Sequence, residues 1–380
     1  IDPKGETWHV THRRRMEMGQ EVRLLDPFGA VSKKTDSLNP FDLFDRPGAL
    51  LDADAEMLAS LLAGDQGFHK EPFWDNWGRS LMSGVIAAVA QTAGPDQRHF
   101  GRVREILMSD DAVYNLATIL ENNDHLNRLS KQNISSFLPI TEQTRSGILS
   151  TTQSYLKVVN SDSALRSLSR STISLDAVRK GDPITIYIVL PPDKLESHGA
   201  LLRLWVGALM LTVMGRKRRP KRSTLFLLDE CAQLGEFGPL RQSMTLLRGY
   251  GLQVWPFFQD LSQLQRLYPN DWRTIFNNAG VFQLFGVANH LMAKESSDLI
   301  GDIDADTLRA MKADKQVIAI SGTKAIQADL PDYLEDAPFK GQWDPNPMFD
   351  AMDEEEAAPS KAKPAPKGRK GGRKTTTPAR

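Results

Sequence analysis

Cysteine is nearly missing from this 380-residue sequence, in which Cys231 stands alone. That excludes an intrachain disulfide and any cysteine-based zinc site. The seven histidines are scattered, and only His9 and His12 fall within four positions of each other, so no metal motif appears. Excess charge is missing too. Lys plus Arg and Asp plus Glu balance at 47 each. Net charge therefore points to no class of partner, although local runs still can. No run reaches the roughly eighteen uninterrupted apolar residues of a membrane span. The nearest, 81–90 and 204–214, read as buried helices. The opening Ile1-Asp2-Pro3-Lys4 has no basic, apolar leader character, and no internal repeat is visible. What remains is ordinary globular material. Hydrophobic residues at 41% and charged residues at 25% exclude a wholly disordered chain, and the length suits two or three domains.

Four stretches differ in pattern. In residues 1–35, a polar helix over 7–18 leads to a strand, Val22-Arg23-Leu24-Leu25, stopped by Asp26-Pro27-Phe28-Gly29. From 36 to 170 apolar residues recur at helical spacing, as in Leu58, Leu61, Leu62 and in Trp74, Trp77, Leu81, Val85. No convincing strand appears there, which predicts an all-helical insertion. Trp74 and Trp77 read as packing residues rather than base-stacking ones. From 171 to 340 strands and helices alternate. The apolar runs lie at 184–190, 225–228, 252–258, 281–285 and 317–320. Such strands between helices predict a mostly parallel sheet buried on both faces. From 341 to 380, Glu354-Glu355-Glu356 and a scatter of cations from Lys361 to Lys374 among Pro, Gly, Ala and Thr predict a disordered basic tail.

The sharpest chemical signal is Leu225-Phe226-Leu227-Leu228-Asp229-Glu230. A buried strand that ends in two acids delivers them to the sheet edge where ligands bind in open α/β folds. Asp229 would hold Mg²⁺, directly or through water, and Glu230 would orient or deprotonate an attacking water. A core strand that merely ends in two acids gives the same pattern. Arg248 ends the following helix and Gln259 the following strand. The first also suits a helix C-terminal cation, and the second a partner for the next helix start. His198 reads as a surface-loop histidine near the same edge. Arg216-Lys217-Arg218-Arg219-Pro220-Lys221-Arg222 puts six cations in seven positions, which is either a solvated loop or a phosphate contact.

Taken together, Phe226–Gly235, Arg248-Gly249-Tyr250-Gly251, Gln259–Leu264, Tyr268 and Phe276-Asn277-Asn278 resemble the type IV secretion coupling protein family, the ATPases of conjugative DNA transfer. Asp2–Glu6, Asp26-Pro27-Phe28, Asn39-Pro40-Phe41, Leu330–Tyr333 and Pro338-Phe339 are similar to it as well. The resemblance covers roughly residues 1–340. It implies a RecA-like P-loop NTPase motor domain interrupted by the helical stretch 36–170, with ATP and Mg²⁺ as cofactors. It assigns Asp229 and Glu230 to the Walker B pair, Gln259 to γ-phosphate sensing, and Arg248 to an arginine finger that acts on a neighbouring subunit. A finger in trans implies a ring, expected to be a homo-hexamer. Implied partners are single-stranded DNA, a relaxase or other secreted protein, and components of the secretion channel.

One family element is not in this sequence. No G-x-x-x-x-G-K-[ST], and no Gly-Lys dipeptide, occurs. In the family that loop precedes the strand ending Asp-Pro-Lys-Gly-Glu, and a membrane anchor precedes the loop. The expectation is a soluble fragment of a longer protein held at the cytoplasmic face of the bacterial inner membrane. The loop's charge-assisted contacts are worth about 1.5–3 kcal/mol each, so the fragment alone is expected to bind ATP weakly or not at all. Two alternatives stay open: another ring DNA translocase, or a noncatalytic cargo-recognition and docking piece.

Overall fold

A computed structural model describes residues 1–64, 72–287 and 289–348, with the backbone alone at 246–248. Five-residue apolar strands joined through helices pair in parallel, because the return path lies off the sheet. β1 (Glu21–Leu25) pairs this way with β2 (Ile184–Ile188), Glu21 opposite Ile184 and Leu25 opposite Ile188. β3 (Thr224–Leu228) pairs with β4 (Leu252–Pro256), Leu228 opposite Pro256. The opening residues lie between the two pairs. The Ile1 backbone nitrogen donates to the Leu227 carbonyl at 2.8 Å, and Asp2 N–H donates to the Ile188 carbonyl at 2.9 Å. Both contacts fall at the carboxyl-terminal ends of β2 and β3, so all four strands bring those ends to one edge.

The runs at 281–285 and 317–320 are not members of that parallel set. β5 (Val281–Phe285) pairs antiparallel with β6 (Lys315–Ile320), and β6 pairs antiparallel with β7 (Ile326–Asp329). Gln316 lies opposite Phe285. The two helices between β5 and β6 therefore return the chain to the end it left, which parallel pairing forbids. A tight turn containing Gly322, at φ 84°, does the same between β6 and β7. Burial on both faces is likewise incomplete. Leu225, Leu227 and Trp255 share one face of β3–β4 and stay exposed, while Leu228 on the other face is buried.

α1 (Glu6–Glu17) precedes β1. Between β1 and β2 the described residues hold helices and no strand: α2 (Leu51–Ala63), α3 (Pro72–Thr92), α4 (Phe100–Leu107), α5 (Ala112–Glu121), α6 (Arg128–Phe137), α7 (Glu142–Tyr155), α8 (Asp162–Ser169) and α9 (Leu175–Lys180). α3 is their centre, buried without interruption from Leu81 to Val89, as expected of a helix apolar all round. Gly84 lets α6 approach it, since a Cβ there would lie 2.8 Å from the Asn133 Cβ. The Asn133 amide then donates to the Ser80 carbonyl at 2.9 Å.

α10 (Pro192–Met214) follows β2. It starts at a Pro-Pro pair, where a missing N–H costs nothing. Among the described residues it is the one helix long and apolar enough to cross a membrane. Within its apolar window 72% is buried inside the fold, the burial of a core helix. Trp205 sits fully inside and donates its indole N–H to the Leu38 carbonyl at 3.1 Å. Leu58, Val85 and Phe100 from the helical stretch share one apolar cluster with Leu201, Trp205, Leu228 and Cys231. The helical stretch is thus not a second, separate core. α11 (Gly238–Leu246), α12 (Leu261–Leu267), α13 (Trp272–Asn278), α14 (His290–Ile300) and α15 (Ala305–Ala310) complete the fold.

The compact unit runs to Asp344. Residues 342–344, expected in the tail, pack on α1 instead. Asp344 N–H donates to the Val10 carbonyl at 3.0 Å, and Arg13 pairs with the Asp344 carboxylate at 2.6 Å. The expected basic tail from 349 onward lies outside the described residues.

Candidate functional site

Asp229 and Glu230 leave the carboxyl end of β3, and Gln259 follows the carboxyl end of β4. The ladder continues past the strand ends. Phe257 N–H donates to the Leu228 carbonyl and Cys231 N–H to the Phe257 carbonyl, both at 3.0 Å. This zipper holds the two tips side by side. The Gln259 side-chain amide donates to both Glu230 oxygens, at 3.3 and 3.1 Å. Asp229 is exposed, and its carboxylate accepts from the Glu230 N–H at 3.1 Å.

Glu230 occupies the left-handed region at φ 52°, the one non-glycine residue at positive φ among the described residues. Side chains pay for this conformation with a Cβ clash, and such outliers cluster at functional sites. Here it starts the 3-10 turn Cys231–Leu234 directly after the strand. The turn buries Cys231 and Leu234 and leaves both acids at the rim. Burial pushes the Cys231 thiol up to about 12, so it is an inert core residue rather than a nucleophile.

Other elements line the same edge. The loop after β1 is closed by Asp26, whose buried carboxylate accepts the N–H groups of Ala30, Val31 and Ser32 at 2.9–3.0 Å. His198 is on α10 rather than in a loop. Its ring meets Phe28 edge-on at 4.9 Å. Burial first, and Lys194 second, hold its pKa below the usual histidine value. Arg248 lies on the 3-10 turn Leu247–Tyr250 between α11 and β4, and its side chain is outside the described residues. That turn precedes β4, so Arg248 is at the opposite edge of its own sheet.

The basic run also sits at that opposite edge, before β3. It is not one surface. Arg216 is buried, 5% exposed. Its guanidinium donates to the Val178 carbonyl at 2.6 Å, the Thr224 hydroxyl at 2.7 Å and the Arg179 carbonyl at 2.8 Å. The expectation that Arg216 meets DNA is corrected, because its donors are spent inside the fold. Lys217, Arg218, Arg219, Lys221 and Arg222 are exposed. Pro220 seats this loop on the amino ends of β2 and β4: a Cβ on Gly181 would lie 2.6 Å, and one on Gly251 3.0 Å, from its ring. Trp74 and Trp77 pack partly buried against the core.

Sequence reasoning passed over Gln263, which contacts Gln259 twice. The available signal was a second glutamine four positions on, at the start of a helix capped by Asp260. No group of three or more potential metal ligands occurs among the described residues. Asp229 alone suits Mg²⁺, which is usually held through one or two carboxylates, waters and phosphates.

The fold is RecA-like, with parallel strand pairs among helices. It resembles the plasmid coupling protein TrwB, solved in complex with the GTP analogue GDPNP, with TM-score 0.69 and 16% identity over 87% of this chain and 77% of that one. TrwB has also been solved with ADP and Mg²⁺, at TM-score 0.65. The family profile described as type IV secretory system conjugative DNA transfer matches residues 1–307, and the chain belongs to that family. It is 27% identical over 277 residues to the conjugal transfer protein TraG of Agrobacterium fabrum, covering 70% of this chain and 41% of TraG. It is 21% identical over 320 residues to the type IV secretion system-coupling protein VirD4 of Bartonella quintana, covering 82% and 50%. The chain thus spans half or less of the length of these curated relatives.

Proposed function

We propose that the chain is the motor portion of a coupling ATPase, which uses ATP hydrolysis to recruit single-stranded DNA, or a DNA–relaxase complex, and drive it to a type IV secretion channel. One observation carries this reading: the Glu230 carboxylate, at the carboxyl end of β3, is held by the amide of Gln259 at the end of β4. A base fixed there is poised for a water at the sheet edge. Residues 1–35 and 171–340 form the motor and 36–170 its helical insertion. Bound Mg²⁺–ATP supplies the phosphoryl group and its charge neutralisation. Asp229, at the strand end, would hold the metal. Glu230 orients the attacking water and accepts its proton. Gln259 reads the γ-phosphate. Arg248, at the other edge, serves the nucleotide of an adjacent subunit in a homo-hexamer at the cytoplasmic face of the inner membrane. The G-x-x-x-x-G-K-[ST] loop that cradles a nucleotide's phosphates is not in this sequence. The five exposed cations at 217–222 meet the DNA backbone.

The test uses the whole protein that carries this chain. Glu230→Gln should lower ATP turnover by at least about 10²-fold, the contribution of a positioned acid–base group, while nucleotide affinity stays within about twofold. Arg248→Ala should cost about 10³-fold or more, and only in the assembled ring. Undiminished turnover in Glu230→Gln would remove the reading.

A further inference from the structure

The amide of Gln259 can face Glu230 in two ways, and only one helps. With its NH₂ toward the carboxylate it donates. Flipped, it sets a carbonyl oxygen against two anionic oxygens. The choice is made by Gln263. A backbone N–H can only donate, so the Gln263 atom 3.0 Å from the Gln259 N–H must be its carbonyl oxygen. The Gln263 NH₂ is then the group 3.2 Å from the Gln259 side chain, which must present Oε1 to it. That leaves the Gln259 NH₂ for Glu230, at 3.1 and 3.3 Å. The polarity of one main-chain group is relayed through two side-chain amides to the carboxylate. Gln263 is itself fixed from below. Its N–H donates to the Asp260 carboxylate at 2.9 Å, Ser262 holds the same oxygen at 2.6 Å, and buried Leu264 anchors the helix.

We propose that Gln263 is a positioning residue for hydrolysis: it locks the amide orientation of Gln259, and through it the carboxylate of Glu230. The inference rests on the catalytic reading of Glu230 above. It makes Gln259 and Gln263 one unit. The Gln259 NH₂ has two hydrogens, so with Oε1 held by Gln263 it can keep Glu230 in place and still face a γ-phosphate.

Gln263→Glu separates this from a merely structural role. A carboxylate there still accepts the Gln259 N–H and suits a helix start, so the fold is kept. It cannot donate to Gln259 Oε1, so the lock is lost. In the whole protein, kcat should fall about three- to tenfold, the scale of one hydrogen bond, with KM and nucleotide affinity within about twofold. In the 380-residue chain, the Gln259 side-chain amide protons in a ¹H–¹⁵N spectrum should exchange faster in Gln263→Glu. Wild-type kcat together with an unchanged Gln259 amide signal would overturn the relay. Glu230→Gln in the same assay keeps the two ideas apart: if it turns over normally, the catalytic reading itself fails.

Discussion

Arg216→Ala tests which member of a basic run belongs to the fold. The wild-type guanidinium makes three bonds of 2.6–2.8 Å to Val178, Arg179 and Thr224, and a weaker one of 3.4 Å to the Tyr250 carbonyl. It ties the end of α9 to the start of β3 and to the turn before β4. Hydrogen bonds to a charged donor are worth about 1.5–3 kcal/mol each. Their sum is offset by desolvation, and burial does work against the Arg216 charge. Truncation also admits water to some of the freed carbonyls. The net expectation is a loss of about 3 kcal/mol, at the low end for breaking a buried charged contact. Urea unfolding followed by circular dichroism should show the midpoint fall by about 0.5–1 M, for a slope of about 3 kcal/mol/M or more. Arg218→Ala, on the exposed side of the same loop, should stay within about 0.5 kcal/mol. An unchanged midpoint in Arg216→Ala, with loss of single-stranded DNA binding, would refute the argument and return Arg216 to the DNA-contact set.

Two further predictions concern the strand end. With its thiol pushed up to about 12 by burial, Cys231 should react with iodoacetamide at pH 8 at least about 10²-fold more slowly in the folded chain than in urea, where an ordinary cysteine has pKa about 8.5. The sign is that of a neutral form favoured by folding, so protection should persist until pH approaches the raised value; equal rates would place the thiol at the surface. At Glu230, φ 52° penalises any side chain with a Cβ, so Glu230→Gly should melt as the more stable of the pair with Glu230→Ala, by about 1 kcal/mol. The reverse order would deny the strain.

The legible parts of the sequence were those where one signal suffices. β3 and its acids stood out because four apolar residues meet two carboxylates. α3 stood out because its apolar face wraps all round. β7 was missed, since Ile326-Gln327-Ala328-Asp329 is a half-polar edge with little to bury. The first turns of α10 were missed because Pro192–His198 is polar, and its helical nature lies in the proline start. The antiparallel set was misread because an apolar run carries no strand direction, which the connecting path decides. The charge run could not reveal that Arg216 turns inward, since that depends on carbonyls from α9 and the turn before β4. Gln263 offered only the spacing of a second glutamine four positions after Gln259, and its role arises only when helix start and strand end meet.

β3 is five residues long, about 16 Å at the usual rise per residue. One of its ends emerges from the exposed cations and the other runs into the paired acids. A polyanion on that loop and a nucleotide at the acids would never touch within one subunit. They would instead pull on opposite ends of the same stiff rod, so a displacement imposed at either end is felt at the other with little slack.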